Sequence, residues 1–503
     1  MEAQAGETGQ RMRNATALAT LLFATANIAS AQSWRVRIDA RAQAVSYRGL
    51  SADSIRIEDA VAGANGGFES QDGYAVQCSS PEWCYFYRPG ASHDQLPMNI
   101  AANAVLWGLG VRGLTVHLTA RLTGDAGEKA GQWPGTEPAG QLLEAYAEYA
   151  RTSWIVRGGR LLMTSRLEPI GFDGAWGRYR WDRANVEVEG YGGWGLGQAA
   201  VVAVTSPLLT PLDDFRPGSR QIVAGAIAAW RPSAGELRAE YRREVDPELD
   251  YFVSERASLS ASARPAPWLL ASGGVDYNIA EGHWGSADAS VTWLQPRFSI
   301  TAGGRRYRPY FSLWTLWGAF SPVPWNGVNA SGEFRALSWL SLRARGERYW
   351  YEGAHVNTAL VGPLQDVGWR FGWGATARLG QHWSVDGGYA AEFGPGASAR
   401  SLDAAITWTP VRQVELTAYG GTLERPLELR YYDANTHFLG ARGDWRPRTD
   451  WRLWLDGGWY KDERNRPDNG ASAWDQLRLR GGVTFTFGTD ADRLPLPPAR
   501  RAP

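Results

Sequence analysis

Arg35, Arg37 and Arg41 take alternate positions in "WRVRIDARAQAV" (Trp34 to Val45), and Arg478 and Arg480 do the same in "LRLR" near the far end of the chain. A guanidinium stays charged at every physiological pH and presents a planar fork of donors. A row of them can draw anions from water or pair with carboxylates on a neighbouring strand. In the first stretch the intervening positions are Trp34, Val36, Ile38, Ala40, Ala42 and Ala44. That period of two is a β-strand with one apolar and one polar face. What the arginines do then turns on the medium beyond each face.

Other reactive residue types offer little. The six histidines are His93, His117, His283, His355, His382 and His437, and none has a serine or acid in a recognisable local motif. Nucleophilic catalysis needs such a base within hydrogen-bond reach, so no enzyme is expected. Cys78 and Cys84, in "CSSPEWC", are the only cysteines. Two thiols without a histidine cluster make an incomplete zinc set; in an oxidising compartment they would close a short disulfide. No Cys-x-x-Cys-His occurs, so the chain offers no site for a c-type haem, and no cofactor or metal is expected.

The elements that position these residues follow from composition. Among 503 residues there are 59 Gly, 26 Trp and 20 Tyr, and Lys plus Arg equals Asp plus Glu at 52 each. The balance gives no pull toward nucleic acid. After the N-terminus no apolar run is long enough for a membrane helix. The N-terminal "RMRNATALATLLFATANIASA" has Arg11 and Arg13, an apolar stretch, and Ala29-Ser30-Ala31 as a small-x-small cleavage site. Residues 1–31 are therefore read as a signal peptide.

From Gln32 onward the period-two pattern returns in strand-length segments, among them "LTVHLTARL", "WLSLRARGERY", "VGWRFGWGATARL" and "LRLRGGVTFTF". Short connections alternate with longer, variable ones, the extremes being 49–97 and 306–327. The short ones carry Trp107, Trp154, Trp181, Trp230, Trp268, Trp293, Trp339, Trp383, Trp408 and Trp445, with Pro or Gly for turn geometry. A β-propeller also spaces its tryptophans regularly, but each of its repeats holds four short strands, where each interval here holds two long ones. Aromatic residues at every turn of one edge fit a membrane interface. Lipid leaves no sheet edge unpaired, so the strands must close. The expected fold is all-β, a transmembrane antiparallel barrel of about 22 strands (20–24) over residues 32–488, with a Pro- and Arg-rich tail at 489–503.

In such a barrel the apolar phase meets lipid and the polar phase lines a wet lumen. Arg343 and Arg345 are then pore-lining. Closure brings the first strand to the last, so Arg35, Arg37, Arg41, Arg478 and Arg480 form one basic wall that favours anions. Most other inward arginines are expected to pair with carboxylates on neighbouring strands. The apolar stretches 194–219 and 309–325 and the long first loop are each able to fold into the mouth, meet lipid or meet a partner.

"LLEAYAEYARTSWIVRGGRLLM" followed by "GFDGAWGRYRW" resembles alginate-export-type porins, in which a strand with a Gly-Arg pair precedes a Phe-Asp-Gly element. The match covers Leu142 to Trp181, and Leu161 departs from it. The whole mature chain resembles Gram-negative outer-membrane barrels, with "TFTF" closing the last strand. The resemblance implies the outer membrane of a Gram-negative bacterium, contact with its lipid, and passage of small solutes. An active transporter with a plug is disfavoured, because strand one starts close to the expected cleavage site. The alternative is a barrel sheath around a periplasmic partner such as a multihaem cytochrome; a periplasmic or extracellular protein partner stays open.

Overall fold

Each alternating segment becomes one rung of a hydrogen-bonded ladder in the computed structural model, which describes residues 33–62, 68–78, 81–127, 140–196, 221–247, 252–308, 324–352, 367–394, 397–427, 433–465 and 474–489. The expected signal peptide, the tail beyond Thr489, and most of 194–219 and 309–325 lie outside the described residues.

β1 (Ser33–Arg56) opens the wall. β2 (Val61–Ala62), β3 (Phe68–Glu69) and β4 (Ala75–Val76) form a small separate sheet. β5 (Trp83–Gln95) and β6 (Pro97–Trp107) return to the barrel. Hairpins follow through β7 (Leu114–Asp125), β8 (Gly140–Ala150), β9 (Trp154–Met163), β10 (Ile170–Trp181) and β11 (Val186–Gly195). Next are β12 (Ile222–Trp230), β13 (Gly235–Val245), β14 (Phe252–Ala266), β15 (Leu269–Asn278), β16 (His283–Leu294) and β17 (Phe298–Tyr307). Then come β18 (Trp325–Leu337), β19 (Leu340–Tyr351), β20 (Val367–Leu379), β21 (Trp383–Gly394) and β22 (Ala397–Val411). The circuit ends with β23 (Val414–Leu427), β24 (Asp433–Arg448), β25 (Trp451–Asn465) and β26 (Trp474–Gly488).

Neighbours in sequence are neighbours in the wall, every pair is antiparallel, and β1 closes on β26 from Arg35–Gly488 to Ala44–Leu479. β5 pairs only with the outer part of β1, so the wall is a closed barrel of 22 strands. The expected fold class and strand number hold.

The outer face carries the exposed apolar residues, among them Val156, Val188, Ile300, Phe334, Leu342, Ile406 and Leu455. One edge is ringed by exposed tryptophans at the short turns, including Trp154, Trp181, Trp230, Trp268, Trp339, Trp383 and Trp445. Trp194, Trp284, Trp350, Trp369 and Trp459 mark the other edge. The 12 residues of β19, rising ~3.3 Å each at a tilt of 35–45°, span roughly 30 Å between two such levels, enough to cross an apolar band of about 25 Å.

One expectation needs correction. Residues 49–97 are not a loop throughout, because β1 runs on to Arg56 and pairs with β5 as a two-stranded ribbon beyond the wall. A disulfide joins Cys78 to Cys84 at the ribbon's tip, beside paired backbone bonds between Gln77 and Tyr85. The alternation misled here because ribbon strands need no lipid-facing phase.

The glycine richness has a local reason. Inward tyrosines lie flat against the wall, Tyr191 over Gly225, Tyr349 over Gly368 and Gly394, and Tyr419 over Gly440. A Cβ at any of these glycines would sit within the ring. Large side chains are thereby kept out of the central space.

Candidate functional site

At the seam, β1 and β26 set Arg35 opposite Gly488, Arg37 opposite Thr486, Arg41 opposite Gly482 and Gln43 opposite Arg480. The five seam arginines are therefore strung along the wall as a stripe. Two of them are neutralised. Arg37 donates to Asp39 on its own strand at 2.9 and 3.1 Å, and Thr484 donates to the same carboxylate at 2.5 Å. Arg480 donates to Asp456 of β25 at 2.8 and 3.1 Å, and Tyr419 donates there as well. Arg478 donates to Gln476 at 2.6 Å and lies over the Tyr460 ring. Arg35 and Arg41 have no ion pair among the described residues. The wall is less basic than the arginine count suggests, because Asp39 shares the inward face two residues from Arg37 and from Arg41.

Around β17 to β21 the inner wall is a chain of closed pairs. Arg305 grips Glu347 with two bonds of 2.6 Å, and Arg370 reaches Glu347 at 3.4 Å and Glu392 at 2.9 Å. Tyr349 donates to Glu392 at 2.9 Å. Trp325 is stacked between the guanidiniums of Arg305 (4.7 Å) and Arg370 (5.2 Å). Arg343 grips Asp386 at 2.6 and 2.9 Å. Arg345, between Arg343 and Glu347 on the same face of β19, has no counter-ion among the described residues. Further round, Arg442 and Arg452 share Asp444. Arg157 pairs with Glu148 at 2.7 Å and covers the Trp176 ring at 4.6 Å.

A part of the lumen escaped sequence reasoning. On β9 to β12 part of the luminal face is apolar: Ile155, Leu161, Phe172, Trp176, Tyr191, Val223 and Ile227 form a buried cluster. Met163 and Ile170, the residues flanking the β9–β10 turn, pack against it. The turn 164–169 emerges from this cluster on the inside of the barrel and docks on the inner faces of strands three to six places along the wall. Arg242 of β13 donates to the carbonyls of Glu168 (3.0 Å) and Leu167, and Arg256 of β14 donates to Leu167 at 3.0 Å. Arg166 donates to Asp288 of β16 at 2.6 Å and lies across Gly274 of β15. Leu167 is only 1% exposed. Glu168 sits at φ +76°, a left-handed conformation that a non-glycine residue adopts at a cost of about 1–3 kcal/mol. Burial pushes the Glu168 carboxyl above the ordinary range, and Arg256 and Arg242 pull it back only in part.

Turned toward lipid, Arg160 and Asp173 form a two-bond ion pair of 2.7 and 2.9 Å. The register sets Asp173 beside the exposed Trp194 near the outer girdle, where a charge pair costs less than at the midplane. The Gly-Arg and Phe-Asp-Gly elements of the sequence thus meet across β9 and β10. No group of His, Cys, Asp and Glu suited to a metal ion occurs among the described residues.

No family model matches the chain, and no curated protein matches it in sequence. Solved structures with similar architecture include the copper transporter OprC, at 11% identity and a TM-score of 0.45, covering 91% of this chain and 81% of that one. OccAB1 of Acinetobacter baumannii aligns at 7% identity and a TM-score of 0.39, covering 92% and 97%. The ferric enterobactin receptor PfeA of Pseudomonas aeruginosa aligns at 11% identity and 0.46, covering 91% and 81%. The likeness is one of barrels, and the lumen has to be read from its own residues.

Proposed function

We propose that the chain is an outer-membrane channel of a Gram-negative bacterium that passes small hydrophilic solutes, with a modest preference for anions. The reading rests on the inner wall. Its tyrosines lie over glycines and most of its arginines are tied sideways to carboxylates, so the side chains hug a barrel too wide for them to fill. The signal-peptide-like pattern of the N-terminal sequence, the two tryptophan girdles and the aromatic final strand support the placement. Arg35 and Arg41, which make no ion pair among the described residues, supply the anion preference at the seam. The docked turn 164–169 narrows the passage. A sheath around a periplasmic cytochrome is the weaker reading, because the turn, fixed on buried arginines, takes up cross-section that such a partner would need. Conductance of the purified protein in planar bilayers tests the proposal, and a folded protein that stays electrically silent would refute it.

A further inference from the structure

The inner face of β19 presents Arg343, Arg345 and Glu347 in turn, and only Arg345 lacks a counter-ion among the described residues. Ser331 of β18 lies directly opposite it on one side and Gly372 of β20 on the other. Its Nε lies so close to Gly372 that a Cβ there would come within 3.2 Å, so the guanidinium rests along the wall rather than reaching into the stream. A cavity of about 480 Å³ opens at this point, lined by Arg345, Asn329, Ser331, Glu347, Ala390 and Ser401 among others. That volume is within the range of small-molecule sites.

An isolated luminal arginine is ordinarily just solvated. This one differs in being framed by two saturated networks, Arg343 with Asp386 on one side and Arg305, Glu347, Arg370 and Glu392 on the other. The nearest other luminal carboxylates, Glu333 opposite Arg343 and Asp403, act on Arg343 and make no ion pair with Arg345. We propose that Arg345 is the anchor of a subsite for a small hydroxylated monocarboxylate. This rests on the channel reading and names the solute class. The planar guanidinium takes a carboxylate through two parallel bonds. The amide of Asn329 and the hydroxyls of Ser331 and Ser401 both donate and accept, which suits a polyol rather than an alkyl chain. Glu347 and Glu392 also line the cavity, each paired with Arg305 or Arg370, and Arg400 beside them pairs with Glu424, so Arg345 is the one arginine of the lining left for a ligand carboxylate and a second carboxylate finds no unpaired cation. A monoanion fits; a dianion is disfavoured.

The probe is gluconate, with glucose, propionate and glucarate as comparators. Two readouts are taken on the full-length protein: block of the KCl current in planar bilayers, and saturation-transfer NMR of the same solutes with the protein in detergent. Gluconate should block in a saturable way and show saturation transfer, while glucose, propionate and glucarate are each at least tenfold weaker. Arg345→Gln should weaken gluconate at least tenfold in both readouts while the protein still conducts KCl, and Arg345→Lys should restore part of it. Equal gluconate binding in Arg345→Gln, or equal binding of propionate or glucarate, overturns the subsite. Silence of the wild-type protein in bilayers defeats the channel reading instead, and the NMR comparison still decides whether Arg345 binds the acid.

Discussion

Arg242 donates to the backbone carbonyl of Glu168 at 3.0 Å, joining β13 to the β9–β10 turn, whose second strand lies three places away in the barrel wall. With Arg256, it fixes the β9–β10 turn inside the lumen on guanidiniums that are only 2–3% exposed. The bond holds a strained residue in place, and its loss should release the turn.

Arg242→Ala and Arg256→Ala should each remove charge-assisted hydrogen bonds worth ~1.5–3 kcal/mol to the docked turn. The expected outcome is a higher, noisier single-channel conductance, largest in the double variant. Unchanged conductance in a folded double variant would show that the turn does not limit flow.

Acid should tighten the same contact. The Glu168 carboxyl is raised by burial, so its favourable contribution to docking is complete below the ordinary carboxylate range. That contribution is lost as pH rises through the raised value. Conductance should therefore increase on going from acid toward neutral pH. Glu168→Gln should stay docked and flatten the profile; an identical pH response in this variant assigns the titration to other groups.

The strand plan was legible because the short turns carry tryptophan, most of them with Pro or Gly close by, and β26 ends in "TFTF". Counting the five seam arginines as one basic wall overlooked the Arg37–Asp39 pair, although both residues share one face two positions apart. The docked turn was not legible. Nothing local in residues 164–169 signals that Leu167 and Glu168 will meet Arg242 and Arg256, because that contact is set only when the sheet closes. Nor did alternation reveal the apolar cluster inside β9 to β12, since Phe172, Val223 and Ile227 sit in the phase that is polar elsewhere. The first loop looked longer than it is because β1 beyond the wall pairs only with β5 and needs no lipid-facing phase to mark it as a strand.

Substitution on the two faces of β19 should be unequal. Leu342 is exposed on the outer wall and Ser341 takes the opposite phase. Leu342→Arg should cost roughly 2–4 kcal/mol if placed near the bilayer midplane, and Ser341→Arg far less. Denaturant unfolding in lipid vesicles measures the difference, and equal costs would reverse the assigned faces.

Cys78 and Cys84 should be oxidised in the exported protein and leave no thiol for labelling without reductant. Cys84→Ser should make the β1–β5 ribbon more sensitive to protease while the barrel keeps its heat-modifiable gel mobility. Full labelling of both thiols in the native protein would contradict the first statement, and loss of the barrel the second.

The central claim is that the 22-strand wall encloses an open, mildly anion-favouring passage. The direct measurement is the reversal potential of single channels in a KCl gradient, for the wild type and for Arg35→Gln with Arg41→Gln. The wild type should conduct steadily with a reversal potential on the anion side that shrinks as salt rises, because charges facing water are screened over ~8 Å at physiological ionic strength. The double variant should conduct equally well and lose that preference. A protein that is folded by gel mobility but passes no current, or a wild type selective for cations, would contradict the account.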